Sequence, residues 1–112
     1  MPLADIENPP QNETDKHAFD FAHQDIHRRL IDYMQSLITG LTLDAFVLDP
    51  FETTDNTTVY QHQTMHNELD ALLGTPNYDM TSLNWQDAGS RGNWVDNNYQ
   101  SHLAYSQLTG VS

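Results

Sequence analysis

The chain has 112 residues, and its 4 Lys+Arg against 16 Asp+Glu leave a formal charge of −12. Lys16, Arg28, Arg29 and Arg91 are too few to neutralise a run of phosphates, which argues against direct nucleic-acid binding. With no cysteine there is no thiolate chemistry, and no apolar run reaches the roughly 18 residues of a membrane span or resembles a secretory leader.

Residues 1–16, MPLADIENPPQNETDK, carry few apolar anchors and a Pro9-Pro10 pair. They read as an extended N-terminal arm, with Leu3 and Ile6 placed to dock on a neighbouring surface. Residues 17–112 read as one helical repeat domain. The first helix is predicted from Asp15 or Lys16 to about Thr39, capped by Thr14 or Asp15 and stopped by Gly40. Phe19, Ala22, Ile26, Leu30, Tyr33 and Leu37 recur along it at three- and four-residue steps. A second helix is predicted from Asn56 or Thr57 to Leu73, with Val59, Met65, Leu69 and Leu72 as its stripe and Gly74 and Pro76 at its end. A third spans about Asn93 to Leu108, with Trp94, Val95, Tyr99 and Leu103 inside and Gly110 as its stop. The connectors hold Phe46, Phe51, Tyr78 and Trp85, so they should pack rather than dangle. No alternation persists long enough for a sheet. The expected fold class is all-α: a small bundle of about three repeated helices with long packed connectors.

The helices superpose on their histidines. His23-Gln-Asp-Ile-His27 lies over His62-Gln-Thr-Met-His66, and Asn98-Tyr-Gln-Ser-His102 forms a third copy with Asn in place of the first His. In the connectors, Gly40, Asp44 and Asp49 correspond to Gly74, Asp79 and Asn84 within one residue. A repeat of this length implies stacked units that cannot bury their faces singly.

Two functions compete for the histidines. Residues i and i+4 share a helix face, so His23/His27 and His62/His66, brought together antiparallel, offer four nitrogens to one metal. His17 and His102 are spare ligands there, and Asp20 or Asp25 an oxygen source. The other reading makes His27, His66 and His102 structural clips, each bonded to a connector residue among Asp44, Asp49, Asp79 and Asn84. That reading is preferred and needs no cofactor. Gln24 and Gln63 follow the first histidines where a zinc protease needs Glu, and there is no Gly-x-Ser-x-Gly turn or phosphate loop, so no enzymatic role is expected.

Length and paired His-x-x-x-His resemble hemerythrin, but only three helices are predicted and Ser106 or Gln107 follows His102 where that family wants an Asp. The repeat as a whole resembles small acidic proteins from tailed-bacteriophage structural modules. The residues carrying this likeness are His62, His66, Leu72, Leu73, Gly74, Pro76, Asp79, Trp85, Asp87, Trp94, His102 and the terminal Leu108-Thr109-Gly110-Val111. The first helix departs from the pattern, stopping at Ile38-Thr39-Gly40. The resemblance implies a virion structural protein, made in the host cytoplasm and built as a homo-oligomer into capsid, portal or neck, with capsid, portal or tail proteins as partners. Tyr60, Tyr78 and Trp85 join Leu3 and Ile6 as expected interface residues. A metal-binding bundle is the alternative, and an acidic host-directed inhibitor or DNA mimic a third.

Overall fold

The computed structural model describes residues 2–40 and 56–112. It contains three helices, α1 (Glu13–Leu37), α2 (Asn56–Leu73) and α3 (Ala88–Thr109), preceded by a 3-10 turn over Leu3–Ile6. No strand occurs among the described residues. The fold of the described residues is therefore the expected all-α bundle, with three helices. Asp44 and Asp49 lie outside the described residues, as do Phe46 and Phe51.

The helix ends follow local chemistry. Asn12 caps α1, its side-chain oxygen accepting from the Asp15 amide at 2.8 Å, two to three residues ahead of the predicted start. Asp87 caps α3 by accepting from Ser90 N at 2.8 Å, so α3 begins five residues earlier than predicted and carries Gly89 and Gly92 within its first turns. Gly110 closes α3 in the left-handed region, φ 74°, where a side chain would be strained.

The three helices run in one direction. Contacts between α1 and α2 join residues 39 apart in sequence (His23 with His62, His27 with His66), and those between α1 and α3 join residues 75 apart (His23 with Asn98, His27 with His102). From α2 to α3 the offset stays at 35 or 36 over Asp70–Tyr105, His66–Ser101 and His62–Asn98. A constant difference is the mark of parallel neighbours; antiparallel ones keep a constant sum. This corrects the expected antiparallel pairing, and it explains the long connectors. A chain that leaves α2 at its end must travel back about 27 Å, at 1.5 Å per helical residue, before α3 can start beside it.

That returning connector is firmly held. Gln63 on α2 accepts from Met80 N at 2.6 Å and donates to Tyr78 O at 3.2 Å, while Trp94 Nε1 donates to Met80 O at 3.0 Å. Met80 and Trp85 are buried. Trp85, expected at an interface, instead meets Trp94 edge-on at 5.7 Å inside the core, and Arg91 donates to its carbonyl. Replacing Gln63 with Ala would strand the Met80 amide in the interior, a loss of about 1–3 kcal/mol. Thermal melting should show a drop of several degrees; an unchanged midpoint would mean that the connector is held without it.

The first residues are part of the same core. Leu3 and Ile6, expected to reach a neighbouring surface, are buried with Phe19, Ala22, Trp85 and Trp94 of their own chain. Their apolar side chains find cover closer to hand than a partner. Lys16 is buried too, ion-paired with Asp20 and with its ammonium 4.7 Å from the centre of the Trp85 ring.

Candidate metal centre

At the middle of the bundle, where a helical domain normally holds Leu and Ile, five imidazoles meet. His23 and His27 come from α1, His62 and His66 from α2, and His102 from α3. All are at most 1% exposed, and one ligating atom of each lies within 4.8 Å of those of the others. The i, i+4 spacing puts two rings on the inner face of α1 and two on that of α2. Because the helices are parallel and in register, the rings form two layers. His23, His62 and Asn98 make one; His27, His66 and His102 make the other, one turn further on.

The nitrogens that face each other are the Nε2 atoms. His27 Nε2 stands 3.0 Å from His23 Nε2, 3.0 Å from His102 Nε2 and 3.3 Å from His66 Nε2, and His23 and His102 are 3.3 Å apart. Asn98 Oδ1 lies 3.1 Å from His23 Nε2 and 3.0 Å from His62 Nε2.

For His27 and His66 the outer nitrogen has an acceptor that can hold the ring proton. Tyr105 donates its phenolic proton to Asp70 Oδ1 at 2.7 Å, so its oxygen is left to accept from His66 Nδ1 at 3.0 Å; Ser101 Oγ stands 3.2 Å from the same nitrogen. His27 Nδ1 lies 3.1 Å from the Met65 sulfur, a weak acceptor. With the Nδ1 atoms of His27 and His66 protonated, both Nε2 atoms present lone pairs to one another at 3.3 Å. No hydrogen bond joins two lone pairs. A cation between them turns that repulsion into attraction.

Desolvation keeps the imidazoles neutral, the state in which they ligate metals. Burial lowers every one of the five, holding His62 at about 3 and His102 at about 3, and for His23, His27 and His66 neighbouring imidazoles push the same way. Aromatic rings seal both ends. Trp94 lies 4.8 Å from His62 and 5.9 Å from His23 on one side; Tyr105 lies 5.4 Å from His66 and 5.6 Å from His102 on the other. Burial of Tyr105 raises its phenol, so it stays a protonated donor. Asp70, 6% exposed, places a carboxyl two hydrogen bonds behind His66, by way of Tyr105.

The four paired histidines and His102 thus converge. The other expected ligands do not: His17 is exposed and faces Glu13, Asp20 pairs with Lys16, and Asp25 with Arg29. The expected connector clips are also engaged elsewhere. Asp79 Oδ1 accepts from the Thr81 amide and hydroxyl, which holds its carboxyl below the usual range, and Asn84 Oδ1 accepts from Gln86 N. Buried His66 and His102 instead turn to one another's neighbours in the cluster. Of the interface candidates, Tyr60 is exposed and Tyr78 half-buried. Sequence reading missed Asp70, and Tyr105 and Ser101 as partners of His66. The signal for Asn98 was its place under His23 and His62 in the repeat. No family model, no curated protein and no solved structure matches the chain.

Proposed function

We propose that this chain is a metal-binding helical bundle whose ion is held by His23, His27, His62, His66 and His102. The observation that carries the reading is the set of Nε2 atoms of His23, His27, His66 and His102 3.0–3.3 Å apart, with the Nδ1 atoms of His27 and His66 turned to partners outside it. Donors about 2.0–2.1 Å from one ion stand roughly 3.0–3.4 Å from each other. Outer partners such as Tyr105–Asp70 on His66 fix the ring and its tautomer, as they do around ligating histidines generally. Five neutral imidazoles leave the ion's charge to be balanced, and a chain of net charge −12 with Asp70 behind the site is suited to that. The role is non-enzymatic: the ion ties three helices together.

Elemental analysis of protein purified without affinity tag or chelator tests this. One ion per chain is expected, and none after His27→Ala and His66→Ala are combined. A protein that arrives without metal and takes up no Co2+, Ni2+, Cu2+ or Zn2+ would refute it.

A virion-assembly role, implied by the resemblance to phage structural proteins, would use a different part of the molecule. What favours it is apolar surface on all three helices: Phe21 (65% exposed), Tyr60 (60%), Leu72 (44%) and Leu108 (56%). Light scattering over a range of concentrations should then show association that Phe21→Ser and Tyr60→Ser abolish; a strict monomer would count against assembly.

A further inference from the structure

Asn98 occupies, in the chain, the place where the repeat puts a histidine, and in the structure, the corner of the cluster where a sixth nitrogen would stand. We infer that Asn98 Oδ1 is the sixth ligand of the centre, which takes a six-coordinate divalent ion of the Fe2+, Co2+ and Ni2+ group in preference to zinc. This rests on the proposed metal centre and goes beyond it in ligand set, geometry and choice of ion.

Spacing is the first argument. Ligands about 2.1 Å from an ion are roughly 3.0 Å apart along the edges of an octahedron but roughly 3.4 Å apart in a tetrahedron. Four of the six short donor–donor distances here are 3.0 or 3.1 Å, and both of those made by Asn98 are among them. The two layers of three supply the second argument. A triangle of His23, His62 and Asn98 facing a triangle of His27, His66 and His102 presents six donors in two layers of three, the number that six-coordination uses, whereas four-coordination would leave two buried donors idle. Third, Asn98 is wholly buried, and its Nδ2 has no hydrogen-bond partner among the described residues. A side chain placed only for packing would not leave an amide in that condition; one that turns its oxygen toward an ion does.

The donor chemistry narrows the ion. Imidazole-rich sites suit late first-row metals, while a set without carboxylate is poor for Mg2+ or Ca2+. With six protein donors there is no open position for water or substrate, so the centre is of the closed, structural kind.

The experiment loads the full-length, tag-free, metal-stripped protein with Co2+, then competes Ni2+ against Zn2+. Weak ligand-field bands of six-coordinate Co2+ are expected, with Ni2+ displacing Zn2+ at equal concentration. Asn98→Ala should weaken Ni2+ binding by at least about 10–100-fold, the cost of losing even an outer partner. Asn98→Asp, which keeps an oxygen at the same place, should retain wild-type affinity. Intense tetrahedral Co2+ bands in the wild type, or wild-type Ni2+ affinity in Asn98→Ala, would overturn the inference while leaving the histidine centre standing. Should Asn98→Ala fail to fold, the wild-type spectrum and Asn98→Asp decide, a loss of affinity in the latter counting against oxygen as ligand. Failure to take up any of the three ions would instead overturn the centre itself.

Discussion

Stripping the ion with a chelator at neutral pH should lower the melting temperature by roughly 15–20 °C, and returning it should restore the loss. In the proposed centre the ion would bind a site that exists only in the folded chain, so its binding free energy would add to stability. At a free concentration a thousand times the dissociation constant this amounts to about 4 kcal/mol, and in a domain of this size each kcal/mol moves the midpoint by about 4 °C. Removal also leaves the Nε2 lone pairs of His27 and His66 opposed at 3.3 Å inside the protein. Differential scanning calorimetry of matched samples, with metal content measured on each, makes the check. Equal midpoints with and without the ion would mean that the imidazole cluster is self-sufficient.

The metal-free protein should then unfold in mild acid. A histidine in the unfolded chain titrates near 6.5, but His62 and His102 in the core stay neutral down to about 3. Between those values the unfolded state holds protons that the folded state refuses, so stability falls as pH drops through the interval, and nothing is lost above it. At pH 5 each of these two costs about 2 kcal/mol. His23, His27 and His66, also driven well below the ordinary value, add to the loss. With their share added, a stability near the lower end of the roughly 5–15 kcal/mol range does not survive this far into acid. Circular dichroism against pH should show helix lost between pH 6 and 4, and His17→Gln, at an exposed position, should leave the curve in place. Helix retained at pH 4 in the metal-free chain would contradict the neutral, buried cluster. With the ion bound the transition should move to lower pH, because metal and proton compete for the same lone pairs.

The helices and their inner faces were legible because period and punctuation agreed. Phe19 to Leu30 keep step on α1, and Gly74 and Gly110 stop α2 and α3 where expected. The start of α3 was not, since Gly89 and Gly92, poor helix formers, precede the predicted start at Asn93, whereas the helix begins from the Asp87 cap. The histidine pairs were visible as i, i+4 spacing, yet their partners were not. A connector carboxylate is an obvious acceptor on paper, and whether an imidazole turns to it or to another imidazole depends on the relative direction of the helices. Nothing in one helix fixes that direction. Once α1, α2 and α3 run together, the repeat stacks like on like: His23 over His62 over Asn98, then one turn on, His27 over His66 over His102. Asp70 and Tyr105 then fall opposite each other a further turn along, a match that no local pattern announces.

The shared direction of the helices also bears on how fast the chain finds its fold. In an up-and-down bundle, neighbouring helices zip together from the turn that joins them. Here every contact between helices must close a long loop first, 36 residues for His62 with Asn98 and 79 for His23 with His102. Topologies dominated by such distant pairings collapse slowly for their size. Helices that form early on this chain would therefore wait on the slow search that brings their imidazoles into one shell.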